Sequence, residues 1–158
     1  MAENDQLRKQ IADMLTWNEA HQGFDAAVKD MPFELAGVRP PGAPHSVWEL
    51  VEHMRIAQQD ILEFSRDPKH VSPAWPSGYW PSSPAPESPA AWNESVSGFR
   101  KDREEMRRLV LDPGNDLTEP LAHGKGQTLA REALLVADHN SHHLGQLILI
   151  RRLLGAWK

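Results

Sequence analysis

Apolar residues recur at helical spacing in four stretches of the chain, and the stretches between them are dense in Pro, Gly and Ser. No alternating strand pattern and no internal repeat interrupts this, so the pattern predicts an all-α protein. The first helix is expected from about Glu3 to Lys29, with Leu7, Ile11, Met14 and Leu15 on its apolar side and Asn18, His21 and Gln22 continuing that side in polar form. Met31-Pro32 should end it, because a residue before proline is pushed out of the α region. Residues Gly37 to Pro44 hold three prolines and two glycines and should be irregular. A second helix should begin near His45-Ser46, where Ser46 with Glu49 makes a capping-box pattern, and run to about Arg66 along the stripe Leu50, His53, Ala57, Ile61, Phe64.

From Pro68 to Pro89 there are seven prolines together with Trp75, Tyr79 and Trp80. That is too long for a tight helix–helix turn and too aromatic for a free linker, so it should lie against the protein. Extended, it could reach about 60–70 Å, enough to return along a helix about 30 Å long and leave helices two and three parallel. Helix three should start at Ser88-Pro89, carry Trp92, Val96, Phe99, Met106, Leu109 and Val110, and stop at Asp112-Pro113-Gly114. After a polar connection over Asn115 to Gly126, the fourth helix is expected from Thr128 to about Leu154, with Gly155 as terminator.

Composition narrows the chemistry. A chain of 158 residues suits one domain, 1–158, able to bury its own core. It has no cysteine, so a bound metal must use nitrogen or oxygen ligands. Met1 to Gln10 is polar and no stretch approaches the ~18 apolar residues of a membrane span, so the expectation is a soluble, cytoplasmic protein. The formal net charge of −5 argues against nucleic acid as a partner. The basic residues Arg100, Lys101, Arg103, Arg107 and Arg108 are interleaved with Asp102, Glu104 and Glu105, which reads as a solvated helix face.

Eight histidines are present, and their positions matter more than their number. His139 and His143 lie four apart on one helix, so they project from one side about 6 Å apart along the axis. The stripe through them, Leu135, Val136, His139, His143, Leu147 and Ile150, points them into the bundle, and His53 interrupts an apolar stripe on the second helix. Each alone fits a hydrogen-bonded core histidine; together they can bind one divalent transition metal ion, and zinc, nickel, iron and manganese all accept imidazole. Three nitrogen ligands leave coordination positions for water or a substrate, the layout of a reactive site.

His142 points about 100° from His143 and reads as a residue of the rim or one that supports a ligand from behind. His45, His70 and His123 fall in loops and read as solvated, and His21 either lines the site or caps the bundle end. Asp138 and Asp60 could orient an imidazole or be solvated, with solvation favoured. Trp75, Tyr79 and Trp80 could wall a substrate pocket; simple fastening of the crossover is the favoured reading.

The run Ala137-Asp138-His139-Asn140-Ser141-His142-His143-Leu144-Gly145-Gln146-Leu147, followed by Arg151-Arg152-Leu153-Leu154-Gly155, resembles the last helix of the DinB/YfiT-like family. His45-Ser46-Val47-Trp48-Glu49-Leu50-Val51-Glu52-His53-Met54-Arg55 resembles that family's second helix. The resemblance extends over most of the chain. It implies a four-helix bundle of up-down-down-up connectivity with a long crossover between helices two and three. It further implies a metal held by one histidine of helix two and two of helix four, here His53, His139 and His143, and a homodimer. Relatives include transferases and isomerases that use low-molecular-weight thiols. The expected function is therefore a metal-dependent enzyme with a small-molecule substrate, either a thiol-dependent transferase or a hydrolase. The alternatives are a non-catalytic bundle that binds metal or a small ligand, and a metal-free oligomer with its histidines paired by hydrogen bonds.

Overall fold

The computed structural model describes residues 2–157, and its regular elements are helical throughout, as the periodicity predicts. Among the described residues there are five α-helices: α1 (Ala2–Met14), α2 (Phe24–Val28), α3 (Val47–Arg66), α4 (Pro89–Leu111) and α5 (Leu129–Leu153). Four of them, α1, α3, α4 and α5, pack side by side as a bundle. Contacts between α3 and α4 advance together, from Ser95 Oγ on Glu52 to Gln58 Nε2 on the Phe99 carbonyl to Arg66 beside Glu105, so these two helices run in the same direction.

The predicted first helix is broken in two. The chain leaves α1 after Met14 and re-enters helix only at Phe24, so Asn18, His21 and Gln22 lie in the connection instead of on a helix face. Thr16, Trp17 and Asn18 are weak helix formers and Gly23 stands before α2, which weakens the segment locally. The tertiary reason is Phe24, whose ring stacks on Phe99 at 3.7 Å and 20° and is almost wholly buried. A straight helix could not swing that ring inward.

The stripe of α1 is also rotated from expectation. Leu7 and Met14 are exposed, while Arg8, Ile11, Ala12 and Leu15 are buried. Arg8 donates to the Val110 carbonyl (2.9 Å), the Asp112 carbonyl (3.0 Å) and the Asn115 carbonyl, so a cation covers the open carbonyls at the end of α4. Arg151 does the same for α2 through the carbonyls of Ala27 (2.7 Å) and Lys29 (2.9 Å).

Predicted helix boundaries hold elsewhere. Ser46 and Glu49 form the capping box, with Glu49 N–H on Ser46 Oγ at 3.1 Å and Ser46 N–H on Glu49 Oε2 at 2.8 Å. Ser88 caps α4 with Pro89 in its first turn, Thr128 caps α5, and Gly155 closes α5 at φ 68, a backbone conformation that favours glycine.

The crossover between α3 and α4 lies on the protein and meets the segment before α3. Ser46 Oγ donates to the Pro84 carbonyl at 2.5 Å, and Gly37 faces Ala85 so closely that a Cβ on Gly37 would stand 2.3 Å from the Ala85 Cβ. Only glycine fits there.

Two apolar clusters fill the bundle. One holds Phe24, Leu50, Met54, Val96, Phe99, Leu144 and Leu147, and the other Ile11, Leu62, Met106, Val110, Leu129 and Val136. Between them in sequence along α3 and α5 sits a buried polar pair: Asn140 Nδ2 donates to Gln58 Oε1 (3.0 Å), and Gln58 Nε2 donates to the Phe99 carbonyl (2.7 Å). Because a carbonyl can only accept, the Gln58 amide is oriented by Phe99 and in turn orients Asn140.

Candidate metal centre

The side of α5 that enters the core runs through Leu129, Ala133, Val136, Asn140, Leu144, Leu147 and Arg151. The stripe expected from the sequence is therefore shifted: Leu135 is exposed, and His139 and His143 lie half-buried on the flank toward α3. His53, buried on α3, meets them there. Its Nε2 stands 3.1 Å from His139 Nε2 and 3.2 Å from His143 Nε2, and one nitrogen from each ring lies within 4.8 Å of the others. Three imidazoles from two helices thus converge on one point.

The far nitrogens settle what the near ones can do. His53 Nδ1 lies 2.7 Å from the Tyr79 carbonyl, which can only accept, so Nδ1 carries the proton and Nε2 a lone pair. His143 Nδ1 lies 2.7 Å from Gln146 Oε1, while Gln146 Nε2 turns to His142 Nε2 at 3.2 Å, and His143 Nε2 is likewise bare. Two lone pairs facing each other at 3.2 Å repel unless an electrophile lies between them.

A proton is a poor candidate. Burial, followed by repulsion from the neighbouring imidazoles, pushes His139 down to about 4. Burial likewise pushes His143 down to about 4, against the opposing Gln146 hydrogen bond, with His53 and His142 adding repulsion. His53 is lowered as well, chiefly by burial, with the Tyr79 carbonyl opposing. A divalent cation fits better. Nitrogens bound at about 2.0–2.1 Å stand about 3.3 Å apart in a tetrahedral shell and about 2.9 Å apart at right angles, and the two separations from His53 Nε2, 3.1 and 3.2 Å, fall between. The donor set therefore suits a transition metal ion, with three protein ligands and an open remainder.

The surroundings differ from expectation in several places. His70 is not solvated: its Nε2 lies 2.7 Å from Asp60 Oδ1. Asp60 is not solvated either: it is largely buried and also accepts from the Tyr79 hydroxyl at 2.6 Å. His45 stacks on Trp80 at 4.0 Å and 14°, and the other face of Trp80 covers His53 at 3.9 Å and 2°. His123 is exposed but reaches the Phe64 carbonyl at 2.7 Å. His142 is exposed at the rim and also touches Gln146, the partner of His143, at 3.2 Å.

Trp75 is largely exposed and meets Tyr79 edge-on, whereas Tyr79 and Trp80 fasten the crossover against α3. His21 and Asp138 do not reach the three imidazoles. They line a separate cavity of about 440 Å³ with Asn18, Phe24, Arg103 and Ser141, where His21 Nε2 meets Ser141 Oγ at 3.1 Å.

The sequence reading missed Gln146 and the Tyr79 carbonyl as orienting partners. Gln146 is three residues after His143, a spacing that brings helical side chains together and could have revealed it. Nothing in the sequence marks a backbone carbonyl of the crossover.

Fold and site together define a helical bundle with a three-histidine centre between two of its helices. The family model described as DinB superfamily matches residues 16–147, and the chain belongs to that superfamily. No curated protein and no solved structure matches it. Among the described residues no helix is long and apolar enough to cross a membrane.

Proposed function

We propose that His53, His139 and His143 hold one divalent transition metal ion (zinc, nickel, iron or manganese) and that the protein is a metal-dependent enzyme acting on a small molecule. The observation that carries this is the pair of bare Nε2 lone pairs of His53 and His143 facing each other at 3.2 Å. Bound there, the ion would supply a Lewis acid able to lower the pKa of a low-molecular-weight thiol or of water, the chemistry of a thiol-dependent transferase or a hydrolase.

The residues divide the remaining work. Three neutral imidazoles offer lone pairs without first losing protons at pH 7, because burial keeps them uncharged. The Tyr79 carbonyl and Gln146 hold the rings of His53 and His143 in the binding tautomer. Trp80 covers one face of His53 and excludes water from that side, so a substrate must approach across the half-exposed rings of His139 and His143. We also read residues 1–158 as one domain that pairs with a second copy; Leu149 and Leu153, both more than half exposed on the last turns of α5, favour such pairing.

Elemental analysis of untagged protein tests the reading, in the wild type and in His139→Ala/His143→Ala. Near one equivalent of a transition metal in the wild type and none in the double variant is the expected result, followed by turnover in a screen of thiols with electrophiles or of hydrolysable esters and amides. Metal that binds but supports no turnover would leave a non-catalytic binding protein. No metal after incubation with zinc, nickel, iron and manganese would sink the proposal.

A further inference from the structure

We infer that Asp60 is a positioning residue for the histidine cluster, acting through Tyr79 to hold His53 in the orientation that aims Nε2 at His139 and His143. The inference rests on the reading of that cluster as a metal centre and adds a residue that touches no ligand atom.

Asp60 lies on α3 seven residues beyond His53, two turns and about 10.5 Å along the same side of the helix. Its carboxylate is only 11% exposed, and a charge so placed is costly without donors. It has two, His70 Nε2 at 2.7 Å and the Tyr79 hydroxyl at 2.6 Å, which come from either end of one stretch of the crossover. Tyr79 is thereby held at both ends of the residue. Its hydroxyl is anchored on Asp60, and its carbonyl accepts from His53 Nδ1 at 2.7 Å.

The next residue, Trp80, lies flat on the His53 ring and is itself covered by His45. The crossover therefore fixes both the tautomer and the plane of His53, and Asp60 fixes the crossover. Burial, then the hydrogen bond and charge of Asp60, push the Tyr79 hydroxyl up to about 12, so it remains a donor at neutral pH. His143 has nearer support, from Gln146 on its own helix. The third imidazole that the metal needs is the one whose orientation depends on a loop.

Partners of this kind typically change metal affinity about 10–100-fold when removed. The test uses the full chain with Asp60→Ala, with Tyr79→Phe, which deletes one hydroxyl and keeps the backbone carbonyl, and with both. Zinc dissociation constants come from competition with a chromophoric chelator. The tautomer of His53 in the metal-free protein comes from its imidazole ¹⁵N resonances, which a merely structural role would leave unmoved.

Each single variant should weaken zinc binding about 10–100-fold, and the double variant should be no weaker than the worse single, because both act by one route. His53 should change from the pure Nδ1-protonated form to a mixture. Folded Tyr79→Phe protein with wild-type zinc affinity and an unchanged His53 tautomer would overturn the inference, whatever Asp60→Ala does. Should the wild type bind none of zinc, nickel, iron and manganese, the proposed function fails by itself and the resonances decide: a tautomer mixture in Tyr79→Phe upholds the positioning role, and an unchanged tautomer removes it.

Discussion

A histidine able to bind metal has to be neutral and turned the right way, and in the three-histidine cluster different neighbours meet these two conditions. Burial keeps His139 and His143 neutral down to about pH 4, and oxygen acceptors on Nδ1 turn His53 and His143. The first condition has a measurable consequence. In the unfolded chain these imidazoles titrate near 6.5. Between about 6.5 and 4 the unfolded state therefore holds more protons than the native state, and the stability of metal-free protein should fall as the pH is lowered through that window while staying flat above it. Urea unfolding of chelator-treated protein at pH 7.5, 5.5 and 4.5 checks this, and His143→Asn should show a shallower decline than the wild type. A stability independent of pH below 6.5 would show that the rings are not held neutral.

That His53, His139 and His143 could be read from the sequence at all follows from helical period: a spacing of four on one helix and an interrupted apolar stripe on another are visible without a structure. Asp60 was legible only as a nearby acid. Its partners, His70 and Tyr79, sit in irregular chain where side-chain direction follows no period, and so its buried role was not legible.

Among the elements, those with local signals at their ends were legible and the one decided by a distant contact was not. The boundaries of α3, α4 and α5 follow from Ser46-Glu49, Ser88-Pro89 and Thr128 with Gly155, all short-range chemistry. The break between α1 and α2 is set by Phe24 docking on Phe99, residues seventy-five apart, against an otherwise plausible helical pattern. Phe24→Ala should accordingly cost about 3–5 kcal/mol in chemical denaturation; a loss below about 1 kcal/mol would mean that α2 is held by its backbone and not by that ring. The irregular segments can be tested similarly. Gly37→Ala forces a methyl into Ala85, so the crossover must back away, and overpacking of this kind costs about 1–3 kcal/mol. Because the displaced segment also carries Tyr79 and Trp80, Gly37→Ala should weaken zinc binding as well as stability, whereas Phe24→Ala should lower stability with the smaller effect on zinc.

For the molecule as a whole, a ligand that binds only the native state adds to its stability. Zinc at about one hundred times its dissociation constant should stabilise the protein by about 2.7 kcal/mol, seen as a higher melting temperature in the wild type and no change in His139→Ala/His143→Ala. A shift of equal size in the double variant would place the ion elsewhere on the chain.

The buried pair Gln58–Asn140 carries one more implication. Apolar side chains are nearly interchangeable partners, and two helices that meet only through them can slide past each other by a turn, about 5.4 Å, at little expense. Gln58 and Asn140 tolerate no such slip: each finds its donor or acceptor at one alignment of α3 on α5 and would be stranded at any other. His53 lies about 1.4 turns from Gln58, and His139 and His143 flank Asn140, so the amide pair works as a vernier that aligns the two halves of the histidine cluster.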